Sequence, residues 1–145
     1  MFLSEANKDA IVQEIKEAEK QTSGEIKIHI EEICPTEDPL ERAKQIFDYL
    51  ALDKTALRNG VLFYLAFNSR KFAILGDKGI DEVVTSVFWD STKETLKSYF
   101  VKGMITEGLC EGIRMAGLQL KKYFPYDKHD DINEISDDIS TELIP

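Results

Sequence analysis

Residues 59–75 read NGVLFYLAFNSRKFAIL, and this stretch decides the fold. Val61 to Phe67 is an unbroken apolar run bounded by Asn59-Gly60 and Asn68-Ser69, and a second apolar run, Phe72 to Leu75, follows a short polar turn. Apolar runs this short between turn residues are strands covered on both faces, and two so close together predict a hairpin. With a two-residue turn centred on Ser69 and Arg70, Asn68 faces Lys71, Leu62 stands opposite Asp77, and Asn59 comes near Ile80. That register gathers Arg58, Asn59, Asp77 and Asp81 at one end of the sheet.

Upstream the period changes. Gly24 to Glu32 reads GEIKIHIEE, with Ile26, Ile28 and Ile30 on one face and Lys27, His29 and Glu31 on the other, which predicts a strand with one wet face. Before it, Ala6, Ala10, Ile11, Ile15 and Ala18 recur at helical spacing behind Ser4, a candidate N-cap, and the helix should end near Gly24. Between strand and hairpin, Asp38 followed by Pro39 and Glu41 combines an N-cap, an N1 proline and a box-like acid. Leu40, Ala43, Ile46, Phe47 and Leu50 line the helix that it starts.

Downstream, a helical pattern covers Val83, Val84, Trp89, Leu96, Tyr99 and Phe100 and stops at Gly103. A last helix from about Met104 buries Ile105, Leu109, Ile113 and Leu120, with Pro125 as its end. The order α-β-α-β-β-α-α places the chain in the α/β class, helices packed on a small mixed sheet. Gly108, Gly112 and Gly117 inside the last helix each cost about 1 kcal/mol relative to alanine. The stripe Gly108, Gly112, Ala116 is expected to be compensated by close packing on the domain's own sheet; docking of a partner is the alternative.

A chain of 145 residues is the size of one domain and needs no disulfide or metal to fold. Its 18 basic and 27 acidic residues give a formal charge of −9, which repels nucleic-acid phosphates and anionic membrane surfaces, so neither is an expected partner. The longest uncharged stretch, Asn59 to Ser69, is about half of a membrane span. Met1 to Ala10 carries no basic and apolar leader pattern, and Cys34 and Cys110 form no CxxC or Cys/His motif; a reducing cytoplasm is the expected compartment. From Tyr126 onward seven acids face Lys128 alone. Residues 1–125 therefore read as the folded body and 126–145 as an acidic, solvated tail. The apolar rhythm of Ile132, Ile135, Ile139 and Leu143 leaves open that the tail lies along the body.

The segment RNGVLFYLAFNSRKFAILGDKGID from Arg58 to Asp81, then Trp89 and the spaced FVKGMITEGL from Phe100, resembles the TPM domain family, whose members include thylakoid-lumen, photosystem-repair and animal receptor-modulating proteins. The resemblance runs from the first helix to Pro125 and is to a soluble, stand-alone bacterial type. It implies a three-layer α/β/α sandwich. It also implies two activities found among members, acid phosphatase and calcium binding. Arg58 stands where many relatives carry an aspartate.

The residues themselves allow a divalent-cation site at the sheet end. Calcium and magnesium take carboxylate, amide and backbone oxygens, which Asn59, Asp77 and Asp81 offer, with Glu107 from the last helix as a fourth candidate and Glu111 one turn on. Equally, Asp77-Lys78-Gly79 is a turn and Asp81 a helix N-cap, with Arg58 free to bridge the two acids. The DKHDD run, Asp127 to Asp131, is a rival site without the spacing of an EF-hand. Only His29 and His129 are present, with no nucleophile elbow or phosphate-binding glycine loop. A phosphatase would use a metal-activated water, with Arg58 or Lys78 holding the phosphate. A binding or regulatory module, with an unidentified protein partner, ranks above that enzyme.

Overall fold

Among the described residues the elements run α1 (Glu5–Glu19), β1 (Glu25–Glu31), α2 (Pro39–Tyr49), β2 (Gly60–Ala66), β3 (Lys71–Gly76), α3 (Lys78–Asp81), α4 (Asp90–Phe100) and α5 (Ile105–Lys121). The structure is a computed structural model and describes residues 3–126 and 134–145. Two compact units result: α1, α4 and α5 make one, and the sheet, α2, α3 and residues 134–145 make the other. The α/β class and the small mixed sheet read from the sequence are both present.

In the sheet unit, β2 is the central strand, parallel to β1 and antiparallel to β3. Its seven residues are all buried, and both of its backbone edges are paired. The crossover from β1 to β2 carries α2, capped by the Asp38 carboxylate on the Leu40 N–H at 2.9 Å, with Pro39 at the position where a missing N–H costs nothing. Ala43, Ile46 and Phe47 of α2 meet Leu52, Leu62, Tyr64, Ala66, Ala73 and Ile135 in one apolar cluster.

The hairpin departs from the expected register by two residues. Ala66 pairs with Lys71 and Leu62 with Leu75, so the loop is the four residues 67–70, with Arg70 in the left-handed region at φ 54°. The cause is competition for the end of β2: the Phe67 and Asn68 N–H groups donate to Glu31 and Glu32 carbonyls at 3.1 and 2.9 Å, and the Asn68 amide donates to the Glu32 carboxylate at 2.7 Å. A shift of two keeps every side chain on its face, which is why the core pattern survived the error.

The polar face of β1 is not wet. Glu25, Lys27 and His29 are buried, and His29 has no exposed surface. The C-terminal segment, expected to be solvated, lies instead along the outer edge of β1. Ser140 donates to Ile28 O and Ile30 donates to Ser140 O, both at 2.9 Å, and Ile135 joins the apolar cluster. An otherwise open strand edge and a buriable isoleucine outweigh the segment's charge.

In the helical unit, Ser4 caps α1 through the Asn7 N–H, and Ile11, Ile15 and Ala18 are buried, whereas Ala6 and Ala10 are exposed. α1 ends at Glu19, ahead of Gly24, and Ser23 then donates to Phe124 O at 2.9 Å. The helix expected over Val83 to Phe100 is split: α3 stops at Asp81, Val83 and Val87 are exposed, and α4 begins at Asp90. α5 ends at Lys121, before Pro125. Two of its glycines lie against helices: a Cβ on Gly108 would stand 2.8 Å from Tyr99 Cβ and one on Gly117 would stand 2.9 Å from Ala18 Cβ.

Gly117→Val therefore overpacks the α1–α5 contact, and we expect a loss of about 2 kcal/mol, read as a lower denaturant midpoint with unchanged slope.

Glu25 gives a pH-dependent prediction. Burial, with Glu134 and Asp137 adding repulsion, raises its carboxyl from 4.5 to about 7 although the Ile135 and Glu134 N–H groups donate to it. The proton is thus held more tightly in the folded state. Its contribution is favourable below pH 4.5 and is lost as pH rises to 7, a span on the order of 3 kcal/mol. His29, lowered by burial, acts in the opposite sense and loses stability as pH falls below 6.5. Glu25→Gln should isolate the first effect: thermal melts should show the variant gaining on the wild-type chain between pH 5 and pH 8, with the two closest at the acid end.

Candidate functional site

The corner where β2 begins and β3 ends is built by a tight turn. Thr55 is buried and accepts the Asn59 N–H on its hydroxyl at 3.3 Å, while its carbonyl accepts the Arg58 N–H at 3.2 Å. This holds Arg58 in the left-handed region at φ 50°. Asp77 donates its N–H to Gly60 O at 2.9 Å, one step beyond the last ladder pair, and then opens α3 by accepting the Lys78 N–H on its carboxylate at 2.7 Å. Gly79 closes the corner. Its N–H donates to Arg58 O at 2.8 Å, and a Cβ there would lie 2.2 Å from Leu57 O, so no other residue fits without moving the turn.

Arg58 and Asp77 form a two-bond fork, Nε to Oδ2 at 2.8 Å and Nη2 to Oδ1 at 2.9 Å, with the carboxylate buried and the guanidinium half exposed. The fork holds the guanidinium above its ordinary pKa. Asp81, one turn on, is exposed at its residue surface. Partial burial and then the Asp77 charge raise its carboxyl, with Lys44 opposing. These groups line a cleft of about 490 Å³ whose walls also carry Lys44, Asp53, Lys78 and Glu82. Lys78 stands 4.0 Å from Glu82.

Of the four expected metal ligands, the sheet unit brings Asp77 and Asp81 to this cleft. Asn59 is buried beside it, its carbonyl accepting the Glu25 N–H at 3.3 Å. Glu107 is exposed in the first turn of α5, in the helical unit, and Glu111 is engaged by Arg114 on that helix. Arg58 clasps Asp77 and no contact joins it to Asp81. Among the described residues no group of three or more His, Cys, Asp or Glu side chains is arranged to hold a metal ion. The Asp127–Asp131 run lies outside the described residues.

A second polar cluster escaped the sequence reading. Arg42 donates Nε and Nη2 to the two Glu31 oxygens at 2.9 Å each, and the Tyr64 hydroxyl donates to the same carboxylate. Burial alone would raise Glu31, but the Arg42 and Tyr64 hydrogen bonds hold it below its usual value. His29 Nδ1 meets the Ser140 hydroxyl at 2.8 Å and Nε2 stands 3.8 Å from Glu31. Burial raises the Cys34 thiol, yet hydrogen bonding with Thr36 and Tyr64 and the Lys71 charge bring it below its ordinary value. Arg42 between Glu41 and the apolar Ala43, on a buried helix stripe, was the available signal.

A sequence model described as the TPM domain matches residues 1–119. No curated protein matches the chain. Among solved structures, the BA42 protein from the psychrophilic bacterium Bizionia argentinensis, determined by NMR, is 44% identical, with a TM-score of 0.91 over 98% of this chain and 97% of that one. The architecture is accordingly an α/β sandwich of the kind seen in that protein, and no helix among the described residues is long and apolar enough to cross a membrane. With Asn59-Gly60-Val61-Leu62 starting β2, Gly79-Ile80-Asp81 closing the corner and the helical glycines at their contacts, the chain belongs to the TPM domain family.

Proposed function

We propose that this chain is a binding module whose Arg58–Asp77 cleft takes a divalent cation, calcium or magnesium, weakly. The supporting observation is the gathering of Asp53, Asp77, Asp81 and Glu82 on one cleft, where the Asp81 carboxyl is raised by partial burial and then by the Asp77 charge, a repulsion that a cation relieves. Weakness follows from the fork, because Arg58 already neutralises Asp77 and a cation must compete with a two-bond guanidinium pair. A cytoplasmic setting belongs to the same proposal and is supported by two free cysteines, Cys34 and Cys110.

A metal-dependent acid phosphatase is the less favoured reading. Of its two candidate phosphate holders, Arg58 is committed to Asp77 and Lys78 is near Glu82, and among the described residues no histidine lines the cleft. An unidentified protein partner remains part of the binding-module proposal.

Calcium titration followed by amide NMR should move residues 59–60 and 76–82 first, in the millimolar range. Arg58→Gln frees the Asp77 carboxylate and should tighten binding roughly tenfold, the equivalent of one pKa unit of charge interaction. Unmoved corner amides at millimolar calcium, or no gain in that variant, refute the site.

For the enzyme reading, purified protein incubated with an aryl phosphate ester and calcium or magnesium should show no turnover. Robust hydrolysis stopped by a chelator and by Asp77→Asn would put the phosphatase first.

A further inference from the structure

The outer edge of β1 carries a groove built for an extended chain. Its walls are charged or polar side chains withdrawn from solvent: Glu25, Lys27 and His29 from the strand, and Arg42 from α2. Residues 134–145 fill it. Two backbone bonds at the His29–Ser140 bridge set a parallel register. Glu25 accepts the Ile135 N–H at 2.8 Å, Lys27 donates to the Ser136 hydroxyl at 2.9 Å, His29 meets the Ser140 hydroxyl, and Arg42 donates to Ile144 O and Pro145 O at 2.9 and 3.1 Å. Ile135 is buried, and Ile144 packs against the same apolar cluster.

The segment is held lightly for a strand. β1 and β2 pair at seven positions, whereas the segment makes a single bridge, and Leu143 is almost fully exposed. Among the described residues, the three buried side-chain atoms without a hydrogen-bond partner are Glu25 Oε2, His29 Nε2 and Asp137 Oδ1, and all three lie along this seam. Unsatisfied polar atoms offset much of what burial contributes, so local opening here is cheaper than opening of β2.

We propose that the β1 edge is a strand-recognition groove, that residues 134–145 occupy it reversibly, and that it accepts a partner's extended peptide carrying the same pattern, Ile-Ser-x-x-x-Ser-x-x-x-Ile-Pro. Main-chain pairing at the edge supplies affinity. The fixed Lys27, His29 and Arg42 supply selectivity for the two serines and the terminal carbonyls. The resident segment competes at the high effective concentration of a tethered ligand, so the groove is masked until that segment leaves. No groove residue lines the Arg58–Asp77 cleft, so this proposal and the cation site stand or fall separately.

The test uses the full chain and a fluorescein-labelled synthetic peptide of residues 134–145. Ser140→Pro in the chain removes the N–H that pairs with Ile28 O and frees the groove without altering it. The peptide should bind that variant at least tenfold more tightly than the wild-type chain, on the order of what removing a tethered competitor yields. Amide shifts should centre on residues 25–31, and the peptide carrying Ser140→Pro should bind neither chain. Native-state hydrogen exchange on the wild-type chain is the second arm, which decides even if the variant fails to fold. The Ser140 and Ile30 amides should exchange well before those of β2. Equal peptide binding by both chains, or exchange of those two amides only together with β2, overturns the proposal.

Discussion

The sheet unit depends on β2 having a partner along each edge. Its amides and carbonyls are removed from water on both sides at once, so every one of them has to find β1 or β3, and a strand in that position cannot tolerate a residue that fails to pair. The rest of the unit follows from this. α2 exists as the crossover that lets β1 run parallel to β2, and β3 returns by a hairpin whose loop length is set by how far β2 continues to bond to the β1 side. The polar corner stands where the pairing of β2 ends, with Asp77 taking the first bond after the ladder and turning the chain into α3.

Much of this was readable because it is local. Apolar runs, period changes, Asp38-Pro39 and Ser4 report on elements through the backbone of a few residues, and they gave the element order apart from the separate α3, whose N-cap is Asp77 and not Asp81, which ends that helix. The corner membership of Arg58, Asp77 and Asp81 was also legible, since a register shift of two leaves the same residues at the same sheet end. What failed was non-local. Nothing in GEIKIHIEE says that residues from the far end of the chain will cover its polar face, so His29 was expected on a surface and is fully buried. Arg42 reads as an ordinary helix arginine until Glu31 and Tyr64, both distant in sequence, are placed around it. The glycines of α5 did announce close approaches, but not that Tyr99 would make one at Gly108 and Ala18 one at Gly117.

The two polar clusters of the sheet unit show opposite solutions to burying charge. Around Glu31 the carboxylate is satisfied by Arg42 and Tyr64 together, and the guanidinium spends its remaining donors on Gln45 and two backbone carbonyls. The Arg42–Glu31 fork is complete without those carbonyls, and a lysine in place of Arg42 could not reproduce it. In the cleft, Asp77 is satisfied by one guanidinium that is itself half exposed, and Asp81 has no such partner. The first cluster ties β1, β2 and α2 together, and the second leaves the Asp81 carboxyl at the wall of an open cleft.

The left-handed backbone at Arg58 separates the shape of the turn from the charge of its side chain. Aspartate and asparagine tolerate that conformation better than arginine does, so the backbone here does not depend on the arginine. Aspartate in place of Arg58 removes both bonds to Asp77 and moves the cleft by two units of charge. Position 58 thus decides whether Asp77 has a guanidinium partner, through a backbone geometry that does not itself require arginine.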